Sequence, residues 1–176
     1  MDHHNAAQHL QRPGAYIYAA RWPMRGGRIE GNDMSTAPKI KLRPTGATAS
    51  MGRHGFPHIV SATGGEIEVR TGASEAGFNP LDLLYASLSA CLAMSARIAA
   101  NQLGVVDRLT AVTVRVTGEK AAEGPSRIAR FDIDMQISGD FDDATRQEIA
   151  RLAEVEICTV SNTISGEPGF ALSVRG

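Results

Sequence analysis

Cysteine is scarce in this chain, which holds only two, Cys91 and Cys158. A small disulfide-stapled fold needs more, and the absence of a CxxC pair excludes both a thioredoxin-type motif and a zinc ribbon. Aromatic residues are also few, at 5% of the total. Eighteen basic against nineteen acidic side chains leave a net charge of −1. A near-neutral chain poor in rings gives no reason to expect nucleic acid or an anionic membrane as a partner. No apolar run free of charge reaches the roughly 18 residues that span a bilayer. The longest, Leu83 to Ala96, carries serines and a tyrosine and reads as a buried helix. Residues 1–33 contain neither an apolar stretch of about 7–15 residues nor a small-residue cleavage site. The expected location is therefore cytoplasmic, where a structural disulfide is disfavoured and each thiol gains weight as a reactive group.

Hydrophobic residues make up 43% and charged residues 21% of the 176-residue chain, the composition of one globular domain. Residues 1–34 lack helical or strand periodicity and are expected to be a flexible extension, with the domain spanning 35–176. Met34 opens a segment that itself resembles an ordinary start. His3, His4 and His9 read as part of a solvated tail, because no Cys or carboxylate cluster completes a ligand set.

Lys39-Ile-Lys-Leu-Arg43, His58-Ile-Val60 and Glu66 to Thr71 read as short strands separated by turns at Gly52–Pro57 and Gly64-Gly65. Asn79, Pro80 and Asp82 then form the N-cap, first position and third position of a helix, which runs to a stop at Gly104. Arg97 is its only charge between Leu83 and Ala100, so the helix is expected to be buried on nearly every face. Val112, Val114 and Val116, then Phe131, Ile133, Met135 and Ile137, alternate with polar residues. That is the pattern of half-wet antiparallel strands. A second helix begins near Asp142 and Asp143, with Ile149, Leu152, Ala153 and Val155 as its apolar stripe and Arg146, Gln147, Glu148 and Arg151 facing water. Thr159 to Ile164 suits a short third helix, and Phe170 to Arg175 a last strand. The order predicts an α+β fold.

Cys91 falls mid-helix, with Ser87, Leu88, Ser95 and Ile98 on its face. On periodicity alone, a packed free thiol is as fitting as a nucleophile. Cys158 falls at the start of the short third helix, where orphan N–H groups lower a thiol pKa. A Cys-His acyl-transfer pair with His54 or His58 lacks an identifiable third group.

Gly77-Phe-Asn-Pro-Leu-Asp-Leu-Leu-Tyr-Ala-Ser-Leu-Ser-Ala-Cys91 resembles the central-helix signature of the OsmC/Ohr family, the osmotically inducible and organic hydroperoxide resistance proteins. Cys158-Thr-Val-Ser-Asn-Thr-Ile164 resembles that family's second-cysteine segment. The resemblance runs from about Lys39 to Arg175. It implies curved antiparallel sheets wrapping long central helices in an intertwined homodimer, with active sites at the subunit interface. It further implies thiol-dependent reduction of organic hydroperoxides without a bound cofactor or metal. Cys91 takes the peroxidatic role and Cys158 the resolving role, and an external dithiol resets the resulting disulfide. Peroxide-reducing members place a glutamate directly after the Asn-Pro. Here Leu81 stands there and Asp82 follows, so Asp82 is open to a catalytic role or to helix capping alone. The family's thiolate-stabilising arginine matches Arg53, with Arg70 as runner-up. The Leu81/Asp82 departure keeps an alternative open: an OsmC-like dimer without peroxidase activity that binds a small apolar or thiol-reactive ligand.

Overall fold

A computed structural model of the chain describes residues 43–72 and 74–176. The expected extension over 1–34, its boundary and the three early histidines lie outside those residues, as does most of the expected strand at Lys39–Arg43. Arg43 itself is in no strand.

Two antiparallel sheets form where apolar and polar residues alternate. A three-stranded meander joins β1 (Ala47–Ser50), β2 (His58–Ser61) and β3 (Glu66–Glu68), with Ala47 opposite Ser61 and Ile59 opposite Ile67. Farther on, β4 (Leu109–Lys120) and β5 (Ile128–Gly139) make a long ribbon that sets Val114 opposite Met135 and Val112 opposite Ile137. The period-2 pattern gives the ribbon one apolar face, which lies on the central helix.

That helix, α1 (Pro80–Gln102), starts as its sequence dictates. The Asn79 side chain accepts from the N–H groups of Leu81 and Asp82, and the Asp82 carboxylate accepts from Asn79 N–H, completing a capping box. Gly104, at φ +70°, takes the left-handed conformation that closes the far end. Gly118 on β4 lets the Tyr85 ring approach, because a Cβ there would lie 2.8 Å from the Tyr85 hydroxyl. Tyr85 in turn meets Phe131 edge-on, 6.1 Å between ring centres.

Two features of α1 bear on its expected burial and apolar length. Within one chain only one stripe is buried, Leu88, Leu92, Ser95, Ala96, Ala99 and Ala100, while Met94 is 55% and Ile98 46% exposed. A single ribbon and a few short helices cover one side of a cylinder, not all of it. An 18-residue window of α1 also reaches a mean hydropathy of 1.5. By length and composition alone the helix could cross a membrane, the lone arginine notwithstanding, although a third of that window is buried in the fold.

After the ribbon, α2 (Asp143–Arg151) begins at Asp142, whose carboxylate accepts from Thr145 N–H. Arg146, expected to face water, donates instead to the Ile137 carbonyl and lies over the Phe141 ring, fastening α2 to β5. The chain then widens into a π-helical turn, Leu152–Ile157, and enters α3 (Thr159–Ser165) through Cys158. The wider turn shifts the helical phase, so Val155 leaves the expected apolar stripe and is 56% exposed. The expected strand at 170–175 is absent. Phe170, Leu172 and Val174 are 100%, 90% and 87% exposed, and no ladder receives them among the described residues. A strand needs a neighbour for its backbone groups, and the described residues offer the segment none.

Asn79→Ala removes the acceptor for two orphan N–H groups of α1. It is expected to cost about 1 kcal/mol, read by calorimetry as a fall in Tm of roughly 2–4 °C for a chain of this size.

Candidate active site

The two cysteines meet inside the fold. Helical phase places Cys91 beside the Leu88/Leu92 stripe of α1, and the π-turn delivers Cys158 to the same place from the other side. Cys158 N–H donates across the wide turn to the Ala153 carbonyl at 2.9 Å, and Asn162 N–H donates to the Cys158 carbonyl at 3.0 Å. Leu88, Leu92 and Cys158 form a buried cluster. Val114, Val116, Phe131, Met135, Val160 and Ile164 pack around it.

Exposure differs between the sulfurs. Cys158 is fully buried, whereas Cys91 is half-buried. Their hydrogen bonds differ as well. Cys158 is the N-cap of α3, and its sulfur accepts from Ser161 N–H at 3.3 Å. The groups that favour the Cys91 thiolate are the Val160 and Thr159 amides, the Cys158 thiol and the Ser95 hydroxyl. Burial pushes the Cys91 thiol up, but these four donors outweigh it and hold Cys91 below its ordinary value. Burial likewise raises Cys158. The Ser161 N–H opposes that, but the thiol's own bond to Cys91 and the charge forming there keep the value high. The two shifts run in opposite directions, so Cys91 is the thiol that ionises more readily of the pair.

The remaining expected site residues are not brought to this pair within the chain. Asp82 lies nine residues before Cys91, about 13 Å along the helix axis, and its carboxylate is engaged in the capping box. Arg70 is ion-paired with Glu68 at 2.7 Å, packs over the Phe56 ring at 5.9 Å, and holds the start of α1 through its N–H to the Phe78 carbonyl. Arg53 is exposed in the turn between β1 and β2 and takes part in no hydrogen bond or ion pair among the described residues. No group of three or more His, Cys, Asp or Glu able to hold a metal ion occurs among those residues either.

Sequence reasoning did not find the Thr159 and Val160 amides. Backbone donors carry no residue signature, and only the assignment of Cys158 to a helix start pointed towards them. Ser95 was visible as a neighbour of Cys91 on the helix face, but without a role.

The family model described as OsmC-like protein matches residues 72–173, a stretch that contains the helix cap, both cysteines and the ribbon between them. The chain belongs to the OsmC family. None of the curated proteins matches the sequence. Among solved structures, the OsmC-like protein of Mycoplasma pneumoniae is 19% identical, with a TM-score of 0.60 over 71% of this chain and 89% of its own. The organic hydroperoxide resistance protein of Elizabethkingia anophelis is 24% identical, with a TM-score of 0.58 over 73% and 92%. OhrB of Bacillus subtilis, also an organic hydroperoxide resistance protein, is 21% identical at a TM-score of 0.56 over 71% and 93%. At these identities the likeness is one of fold, and it agrees with the OsmC-type α+β architecture.

The opposite shifts of the thiols predict an order of modification. Limiting iodoacetamide at neutral pH is expected to label Cys91 well before Cys158. Peptide mapping by mass spectrometry reads the ratio, and equal labelling would contradict the asymmetry.

Proposed function

We propose that this OsmC-family protein is a thiol-dependent peroxidase acting on organic hydroperoxides. The observation that carries the reading is the polarised thiol pair: a half-buried Cys91 held towards the thiolate and a buried, protonated Cys158 hydrogen-bonded to it. Cys91 thiolate attacks the outer peroxide oxygen, and the O–O bond breaks. The alkoxide leaves and takes a proton to become an alcohol, and Cys91 becomes a sulfenic acid. Cys158 attacks that sulfur, water leaves and a Cys91–Cys158 disulfide forms. An external dithiol then exchanges with the disulfide, returning both thiols and departing oxidised. Resting thiols of this kind need a reducing compartment, in keeping with a cytoplasmic location.

We further propose a homodimer. Met94 and Ile98 extend an exposed apolar strip along α1 next to Cys91, and Phe170, Leu172 and Val174 stand unpaired on one face of an extended segment. A second copy supplies both with cover in a twofold arrangement. In it, Arg53, whose guanidinium has no partner among the described residues, is the candidate to approach Cys91 and an incoming peroxide from the partner, whereas Arg70 is held by Glu68. The apolar strip suits a hydroperoxide with a hydrocarbon body. Light scattering after size exclusion is expected to give twice the 18.7 kDa chain mass. A stable monomer at micromolar concentration would count against the dimer.

A second reading has one observation in its favour. Asp82 is engaged in capping, and Leu81 stands where peroxide-reducing members carry glutamate, so the chain has no acid at that place to orient an arginine. The alternative is an OsmC-type dimer that binds a small apolar or thiol-reactive ligand without turnover.

Peroxide consumption with a dithiol decides between them. Cys91→Ser is expected to abolish reduction, because a hydroxyl offers no comparable anion. Cys158→Ser is expected to leave a sulfenic acid at Cys91 that a sulfenate reagent traps, with turnover slowed and Cys91 passing to sulfinic acid in excess peroxide. Wild-type protein given one equivalent is expected to lose both thiols together. If both thiols survive organic hydroperoxide unchanged, the ligand-binding reading takes over.

A further inference from the structure

Ser95 is the one buried polar residue among those described, 3% exposed, and it lies one helical turn beyond Cys91. Its neighbours on the buried stripe are Leu92, Ala96, Ala99 and Ala100, a setting in which an unsatisfied hydroxyl is costly. No buried side-chain oxygen or nitrogen among the described residues is without a hydrogen-bond partner. Residues four apart in a helix share a face, which puts the Ser95 and Cys91 side chains next to each other along α1. A serine at this depth has two common uses: bonding back to a carbonyl of the preceding turn, or bonding outward to a functional group.

We propose that Ser95 is a catalytic residue whose hydroxyl donates a hydrogen bond to the Cys91 sulfur, holding it as thiolate and aiming its free lone pairs towards the exposed side of α1. This inference rests on the reading of Cys91 as the nucleophile. The hydroxyl completes a donor set formed on the other side by the Thr159 and Val160 amides and the Cys158 thiol. Those three come from the α3 side of the cluster, whereas Ser95 comes from the nucleophile's own helix. It therefore keeps its place if α3 shifts when Cys158 moves to form the disulfide. Among the described residues, Cys158 is the one titratable group facing Cys91. Arg115 of β4 and Asp132 and Asp134 of β5 sit at exposed positions of the ribbon, Glu154 and Glu156 of the π-turn are exposed, α3 carries no charge, and Arg97 of α1 is exposed.

The test is the pH profile of Cys91 alkylation by iodoacetamide on the full-length protein, followed at the Cys91 peptide. Ser95→Ala is expected to move the midpoint upward and slow alkylation at pH 7 by about three- to tenfold, leaving the high-pH plateau in place. Ser95→Thr and Ser95→Val form a shape-matched pair, one with a hydroxyl and one without. Threonine is expected to keep the wild-type midpoint and valine to shift it, whatever strain the added methyl brings. Ser95→Ala is also expected to slow sulfenic acid formation by organic hydroperoxide at pH 7, and to recover at high pH. A Ser95→Ala midpoint equal to wild type overturns the inference and leaves the hydroxyl bonded to its own helix backbone. So does an equal loss at every pH, which reports packing rather than charge. The alkylation readout is independent of turnover. A shifted midpoint in a protein that does not reduce peroxide sinks the peroxidase reading while the Ser95 contact stands. An unshifted midpoint in an active peroxidase does the reverse.

Discussion

Everything in this fold that bears on chemistry depends on placing two sulfurs side by side in an apolar cluster without letting both ionise. A bare thiolate among Leu88, Leu92, Phe131 and Ile164 would be driven back to the thiol by desolvation. The chain avoids that by turning the start of α3 towards Cys91, so that two amides and a thiol favour its charged form beside the Ser95 hydroxyl of its own helix. The same geometry forbids the second ionisation. The Ser161 and Val160 amides favour the Cys158 thiolate, but burial and a charged Cys91 beside it outweigh them. The two thiols are thus distinguished by what surrounds them, not by residue type, and the proposed roles of nucleophile and resolving partner follow that difference.

The π-turn makes this convergence possible. A continuous α-helix from Asp143 would carry the chain along the α1 surface with its carbonyls bonded four residues ahead. The wide turn at Leu152–Ile157 spends an extra residue per bond, as in the Cys158 N–H to Ala153 carbonyl contact, and lets the backbone break direction at Cys158. Cys158 is then both the end of one helix and the cap of the next. A side chain so tied has its orientation set by backbone bonds, which is what a resolving thiol needs if it is to meet the sulfenic acid before a second peroxide does.

Much of this was legible in the sequence because it is local. Asn79-Pro80-Leu81-Asp82 states its own capping box, and the alternating valines of β4 and the Phe131–Ile137 run of β5 state their pairing. What escaped is set by phase or by partners. A π-turn has no composition signal, so Val155 was placed on a stripe from which one extra residue rotates it away. The Phe170–Val174 alternation reads as a strand, yet a strand exists only where another edge receives it. Asp82 shows the opposite limit. Its type and place suit either cap or catalysis, and only its observed bond to Asn79 N–H shows where the carboxylate is engaged. The pairing of the two thiols followed from the family resemblance, because nothing local to Cys91 or Cys158 states it. The donors that polarise them are largely backbone and left no trace in residue identity.

A single chain of this family therefore looks unfinished in a particular way. In the proposed mechanism Cys91 is prepared on the inner side by α3 and Ser95, while on the outer side it borders exposed methionine and isoleucine. Arg53, the proposed partner of the peroxide, is in a turn of the separate three-stranded sheet and takes part in no hydrogen bond or ion pair among the described residues. Stabilising a thiolate and polarising a peroxide are different tasks. The first needs short, fixed donors already present at rest; the second needs a charge that meets the substrate where it enters. In the proposed dimer the chain's own backbone performs the first, and the partner supplies the second together with the apolar cover that excludes water. The capping role of Asp82 fits that division. With the thiolate held by amides and hydroxyls from within, the arginine need not be clamped by an acid on α1 to keep Cys91 ionised, and the loss of a carboxylate at Leu81 falls on peroxide orientation alone.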